Sequence, residues 1–178
     1  GSFRRMTPLR RPWLALLPVG LAAGLGALAI VLTSNHEDSP VAMSVVGLLL
    51  GWGFIGAGLY GWARRPENST GRLMVAMGFA WFLGSLTDAN GSVAFTAGSA
   101  LGAVSLAVFI HLLFAFPNGR VDGRSERVLI ALAYPAALLA NLTSLLVDRT
   151  PMDNCDNCPS NAFLVHDSDT AANALQVF

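Results

Sequence analysis

Long stretches of this chain carry no charge, and that restricts its fold more than any motif does. Residues 13–32, 41–62 and 128–147 contain no Asp, Glu, Lys or Arg, nor does the shorter run 73–86, and residues 93–116 hold a single histidine. Crossing a bilayer takes about 20 mostly apolar residues, whereas soluble domains carry roughly a quarter of charged residues throughout. Here 12% of residues are charged and 53% hydrophobic, with a mean hydropathy of +0.54. The pattern predicts an all-α, polytopic transmembrane helix bundle. Five full spans are expected, 73–86 being marginal in length, and residues 170–178 read as the start of a sixth. With that span cut short, the chain reads as a fragment of a longer protein, Gly1 and Ser2 resembling a cloning scar. The expected organisation is a basic cytoplasmic N-terminus (1–12), a five-helix membrane bundle (13–147), an extracellular CxxC loop (148–169) and a truncated sixth helix (170–178).

Arginine placement predicts the orientation. The chain has no lysine, and ten of its eleven arginines fall before the first span or on alternate loops: Arg4, Arg5, Arg10, Arg11, Arg64, Arg65, Arg72, Arg120, Arg124 and Arg127. Only Arg149 lies on the other side, and Glu37, Asp38, Asp88, Asp148, Asp153, Asp156, Asp167 and Asp169 join it there. Under the positive-inside rule the N-terminus is cytoplasmic. The expected location is a bacterial plasma membrane, and the expected partner the lipid bilayer rather than nucleic acid.

The spans themselves offer little chemistry. Small-residue ladders at Gly20/Gly24, Gly47/Gly51 and Gly98/Gly102 are expected to pack helices against one another inside the bundle rather than to specify a dimer. His111 is the intramembrane polar candidate, about 9 Å from the inner end of its span. It reads either as a relay or ligand-pocket residue or as a neutral imidazole bonded to a neighbouring helix. It has no second ligand at helical spacing, so no haem or metal site is read there and no cofactor is expected. Pro135 should kink the last full span and free a carbonyl, with Tyr134 and Asn141 as candidates to satisfy such groups. Asp88 is expected to be solvated. A transporter would show more polar groups at mid-membrane.

Two inner loops are more specific than composition requires. ARRPENSTGRLM (63–74) contributes Arg64, Arg65, Pro66, Asn68 and Gly71. HLLFAFPNGRVDGRSERVL (111–129) contributes Pro117, Asn118, Gly119 and Arg120. A well-formed inner hairpin with interfacial arginines accounts for every one of these residues without a function.

In order and spacing these loops resemble the N-terminal membrane domain of sensor histidine kinases from high-GC, actinobacteria-like genomes. So do Trp81-Phe82-Leu83-Gly84 and the Cys155, Cys158, Pro159, Asn161 series. The likeness covers the chain from about Pro12 onward, while Glu67, Ser69 and Thr70 stand where a small or apolar run is expected. The resemblance implies the input half of an ATP-dependent kinase, homodimeric in full length and acting on a response regulator through a cytoplasmic module. This chain holds no catalytic module, and His111, inside the membrane, does not match the phospho-accepting histidine. Rival readings are a fragment of a polytopic transporter or channel, or a membrane thiol–disulfide oxidoreductase using Cys155 and Cys158.

The stretch NCDNCPSNAFLVHD (154–167) keeps three readings open. On the outer face, Cys155 and Cys158 suit a structural disulfide pinning a turn, the leading one. A reducible, signal-sensing pair is the second. Zinc on Cys155, Cys158 and His166, with Asp153, Asp156 or Asp167 as fourth ligand, is the third, weakened by the lack of a second ligand pair.

Overall fold

A computed structural model describes residues 12–147 and 157–164. The only regular secondary structure among the described residues is helical, with no strand among them. Helix α1 spans Pro12–Leu32, α2 Pro40–Arg64 and α3 Thr70–Gly84. A 3-10 turn, Ser85–Asp88, follows, then α4 (Ser92–Leu101), α5 (Val104–Ala115) and α6 (Arg124–Val147).

Local chemistry sets the boundaries. The Thr33 hydroxyl donates back to the Ala29 carbonyl at 2.7 Å as α1 ends, and Pro40 opens α2 at a position where its missing N–H costs nothing. At the far end the Arg65 N–H closes on the Gly61 carbonyl at 2.8 Å, and Pro66 stops the helix. The Glu126 carboxylate accepts the Gly123 N–H at 3.3 Å beside the first turn of α6.

Helices α2 and α3 form the tightest seam. A Cβ on Gly58 would lie 2.7 Å from the Gly71 carbonyl oxygen, and one on Gly78 2.6 Å from that of Gly51. Backbone therefore lies on backbone, as small residues permit between helices in lipid. The glycine ladders serve the same packing: Gly24 seats the Trp52 indole, Gly51 the Phe82 ring, and Gly98 the turn at Leu86 and Thr87. Ala27, Ile55, Leu59, Val75 and Phe82 make one core among α1, α2 and α3. Met77, Ala80 and Val108 make a second, with Tyr134 of α6 packed against it.

Among the described residues three segments are long and apolar enough to cross a membrane: Ala15–Leu32, Pro40–Arg64 and Ser92–Ala115. Leu21, Leu25, Val41, Leu49, Leu106, Leu113 and Leu132 turn outward, an arrangement suited to lipid tails rather than water. The molecule is thus built for a membrane, but the expectation of five full spans and the start of a sixth is corrected to three. Helix α3 has 15 residues, about 22 Å, short of the ~30 Å hydrocarbon layer. The run 93–116 divides into α4 and α5 at Gly102 and Ala103, where the Ser105 hydroxyl captures the Gly102 carbonyl at 2.8 Å, and still counts as one of the three. Helix α6 is not among the three. Residues 170–178 lie outside the described ones.

Candidate functional site

The bundle has two polar ends, each built from loops distant in sequence. At one end the Asn68 side-chain amide donates to the Pro117 carbonyl at 2.9 Å, and the Thr70 hydroxyl donates to the same oxygen at 3.4 Å. The Asn68 carbonyl oxygen accepts the Thr70 N–H at 2.8 Å, starting α3. Gly119 is buried in this clasp with φ +71°, its N–H closing α5 on the Ala115 carbonyl at 2.6 Å. Only glycine fits there, because a Cβ would strike the Asn68 side chain and the Ser69 and Thr70 amides. Gly71 is pressed on α2 beside Trp62.

The structure thus brings together the inner-loop residues that the sequence singled out. Arg64, Arg65, Pro66, Asn68, Pro117, Asn118 and Arg120 share the walls of an open depression of about 560 Å³, with Glu67 the one acid there. The Arg64 guanidinium lies 5.3 Å from the Tyr60 ring centroid. Every described arginine is at this end, joined by Arg72, Arg124 and Arg127.

The opposite end is the one the sequence reading missed. The Asn35 N–H donates to the Asn90 side chain at 2.9 Å, and the Asn90 amide donates to the Thr33 carbonyl at 2.6 Å. His36 Nε2 donates to the Thr87 carbonyl at 2.9 Å, and its ring meets Phe95 edge-on at 5.9 Å. These bonds tie the α1–α2 loop to the 3-10 turn and to Asn90 just beyond it, across more than fifty residues of sequence. Asp88, expected to be solvated, is instead half-buried. Burial pushes its carboxyl above the usual 3.8, the charge of Glu37 adds to that rise, and His36 opposes it. Residues 157–164 cap the same end: the Ala162 N–H donates to the fully buried Thr96 hydroxyl at 2.9 Å, and the buried Asn161 amide donates to the Leu145 carbonyl. The available signal was the polar run TSNHEDS between two apolar segments, too ordinary a loop composition to mark a site.

His111 is partnered: its Nδ1 lies 3.1 Å from the Tyr134 hydroxyl, the rings edge to face, joining α5 to α6. Asn141 donates to the Ala137 carbonyl at 3.5 Å, one turn back on its own helix. Cys158 is disulfide-bonded, and the chain's other cysteine, Cys155, lies outside the described residues, as does His166. Of the three expected zinc ligands Cys155, Cys158 and His166, only Cys158 is among the described residues. Among the described residues no group of three or more His, Cys, Asp or Glu is placed to hold a metal ion.

No protein-family model, curated protein or solved structure matches this chain.

Proposed function

We propose that this chain is the membrane-embedded signal-input domain of a two-component sensor histidine kinase. It would sit multi-pass in a bacterial plasma membrane with its N-terminus in the cytoplasm. The observation that carries the reading is the clasp of Asn68, Thr70 and Gly119 on the Pro117 turn. It joins the α2–α3 and α5–α6 connections, the two loops on which the kinase resemblance rests, at the arginine-bearing end.

The proposed mechanism follows from the two ties. Bonds from His36 and Asn35 hold the first loop to the 3-10 turn and to Asn90 beyond it at the acidic end. A stimulus that alters packing there would tilt α3 on its glycine seam with α2 and move the clasp at the other end. Two packings of one bundle, differently populated with and without stimulus, are enough for a switch. The apolar segment beginning at Thr170 would pass the change to a cytoplasmic dimer and bias its autophosphorylation, with a response regulator downstream. The arginines around the clasp would hold it at the anionic headgroups.

The reading frame of the parent gene tests the class. A frame continuing past Phe178 into a long helix with a histidine box, then an ATP-binding module, is the expected result. Further spans there would favour a transporter fragment, and an early stop would end the kinase reading. In the full-length protein, Asn68→Ala should change the basal autophosphorylation rate. An unchanged rate in a protein whose melting point has fallen would reduce the clasp to a structural role.

A further inference from the structure

Between α2, α3, α5 and the 3-10 turn lies a cavity of about 220 Å³ at the His36 end of the bundle. Its walls are mostly apolar, with Met43, Val46 and Trp81 among them, and its polar rim is Ser85, Thr87, Asp88 and Ser105. A smaller chamber of about 30 Å³ shares Met43, Gly47, Trp81 and Ser85 with it and is lined by Ser44. Ser44 is 5% exposed, and its hydroxyl has no hydrogen-bond partner.

The rim has one chemical sense. The Ser85 hydroxyl donates to the Phe82 carbonyl at 2.7 Å, that of Thr87 to Gly84 at 2.8 Å, and that of Ser105 to Gly102 at 2.8 Å. Each has committed its only proton to its own backbone and offers the cavity lone pairs alone. Asp88 adds a carboxylate to the rim, its negative field reinforced by Glu37 and opposed by His36. A guest must therefore bring hydrogen-bond donors and positive charge to the rim and an apolar body to the walls. The volume is below the ~300 Å³ at which drug-sized sites begin, so the body is a short or partly inserted chain.

We propose that this cavity binds a primary alkylammonium, its head on Asp88 and the rim hydroxyl oxygens and its chain between α2, α3 and α5. The same chemistry is offered by a free amphiphilic amine or by the ethanolamine headgroup of a bilayer lipid. As the stimulus of the proposed sensor this deepens that reading and rests on it; as binding it is measured without any kinase.

The test is calorimetric titration of the chain in phosphatidylcholine nanodiscs, with empty discs subtracted. Octylamine is expected to bind saturably, at about one per chain. Octanol, octanoate and octyltrimethylammonium, which lack the charge, the sign or the N–H donors, should each bind at least about tenfold more weakly, in keeping with hydrogen bonds to charged groups. Asp88→Asn should erase the preference for amine over alcohol. Gly47→Leu, whose side chain would enter the cavity past Trp81, should abolish binding, and it carries the test if the first variant does not fold. Circular dichroism checks helix content in both. Repeating the titration in discs containing phosphatidylethanolamine separates the sources. Competition supports the lipid headgroup as occupant, and undiminished octylamine binding supports a free amine. Partition indistinguishable from empty discs, or an amine preference that survives Asp88→Asn, overturns the proposal.

Discussion

Gly119 and Asp88 show how a single position is constrained by where the fold puts it. At Gly119 the left-handed backbone alone makes alanine cost about 1–2 kcal/mol, and the collision of its Cβ with Asn68, Ser69 and Thr70 adds to that. Gly119→Ala should therefore lower stability by more than about 2 kcal/mol in denaturant titration followed by circular dichroism. Asn68→Ala, which removes the bonds to Pro117 and Thr70, should cost about 1–3 kcal/mol. Equal stability of both variants and wild type would show the clasp to be energetically idle. Asp88 carries a pH dependence of defined sign. Its folded carboxyl holds a proton more tightly than the unfolded chain does, so the charged form costs stability at neutral pH. That cost is relieved as pH falls through the raised pKa, and the gain levels off below the ordinary 3.8. Asp88→Asn should be more stable than wild type near neutrality, the difference shrinking on acidification when unfolding is followed between about pH 4 and pH 8. A wild-type stability that falls with acidification over that range, with no gain from the amide, would contradict the assignment.

At the scale of helices, the glycines divide into those that touch and those that do not. Gly58 and Gly71 lie under facing backbone, whereas Gly26, Gly53 and Gly56 have nothing within 4 Å of an added Cβ. Gly58→Leu should unseat α3 from α2 and cost about 3 kcal/mol or more, as overpacking against rigid neighbours does. Gly53→Ala should be neutral or stabilising by up to about 1 kcal/mol, the helix-propensity difference. Both are read by thermal melting in nanodiscs, and equal effects would rule out the seam. The ladders were legible because a spacing of four puts small residues on one helix face. The lengths of the helices were less so. Apolar run length overstates a span where a local bond ends the helix, as the tightening of Ser85–Asp88 into a 3-10 turn does after α3. The inner clasp was half legible: Pro, Asn-Gly and Arg announce turns, but nothing in the spacing says that Asn68 bonds a carbonyl 49 residues away. The acidic-end ties, 51 to 57 residues apart, were hidden for the same reason.

At the scale of the whole molecule, charge separates along the bundle. Arg64, Arg65, Arg72, Arg120, Arg124 and Arg127 gather at the clasp, while Glu37, Asp38 and Asp88 lie at the end tied by His36. The three-dimensional ties make this stronger than a count along the sequence, because they place the α2–α3 and α5–α6 loops on one side whatever the number of full spans. Loops joined by direct hydrogen bonds must share a side of the membrane. Lys and Arg near helix ends are retained on the cytoplasmic side during insertion, so the proposed orientation puts the clasp inside and the Asp88 cavity outside. Single cysteines test this in a background with Cys155 and Cys158 replaced by serine, read by a membrane-impermeant maleimide on intact cells. Asp38→Cys should be labelled, whereas Glu67→Cys and Asn118→Cys should react only after lysis. Glu67→Cys and Asn118→Cys labelling together on intact cells would invert the orientation and leave the fold intact. Labelling of only one of them would separate two loops that Asn68 and Pro117 hold together, and would break the fold itself.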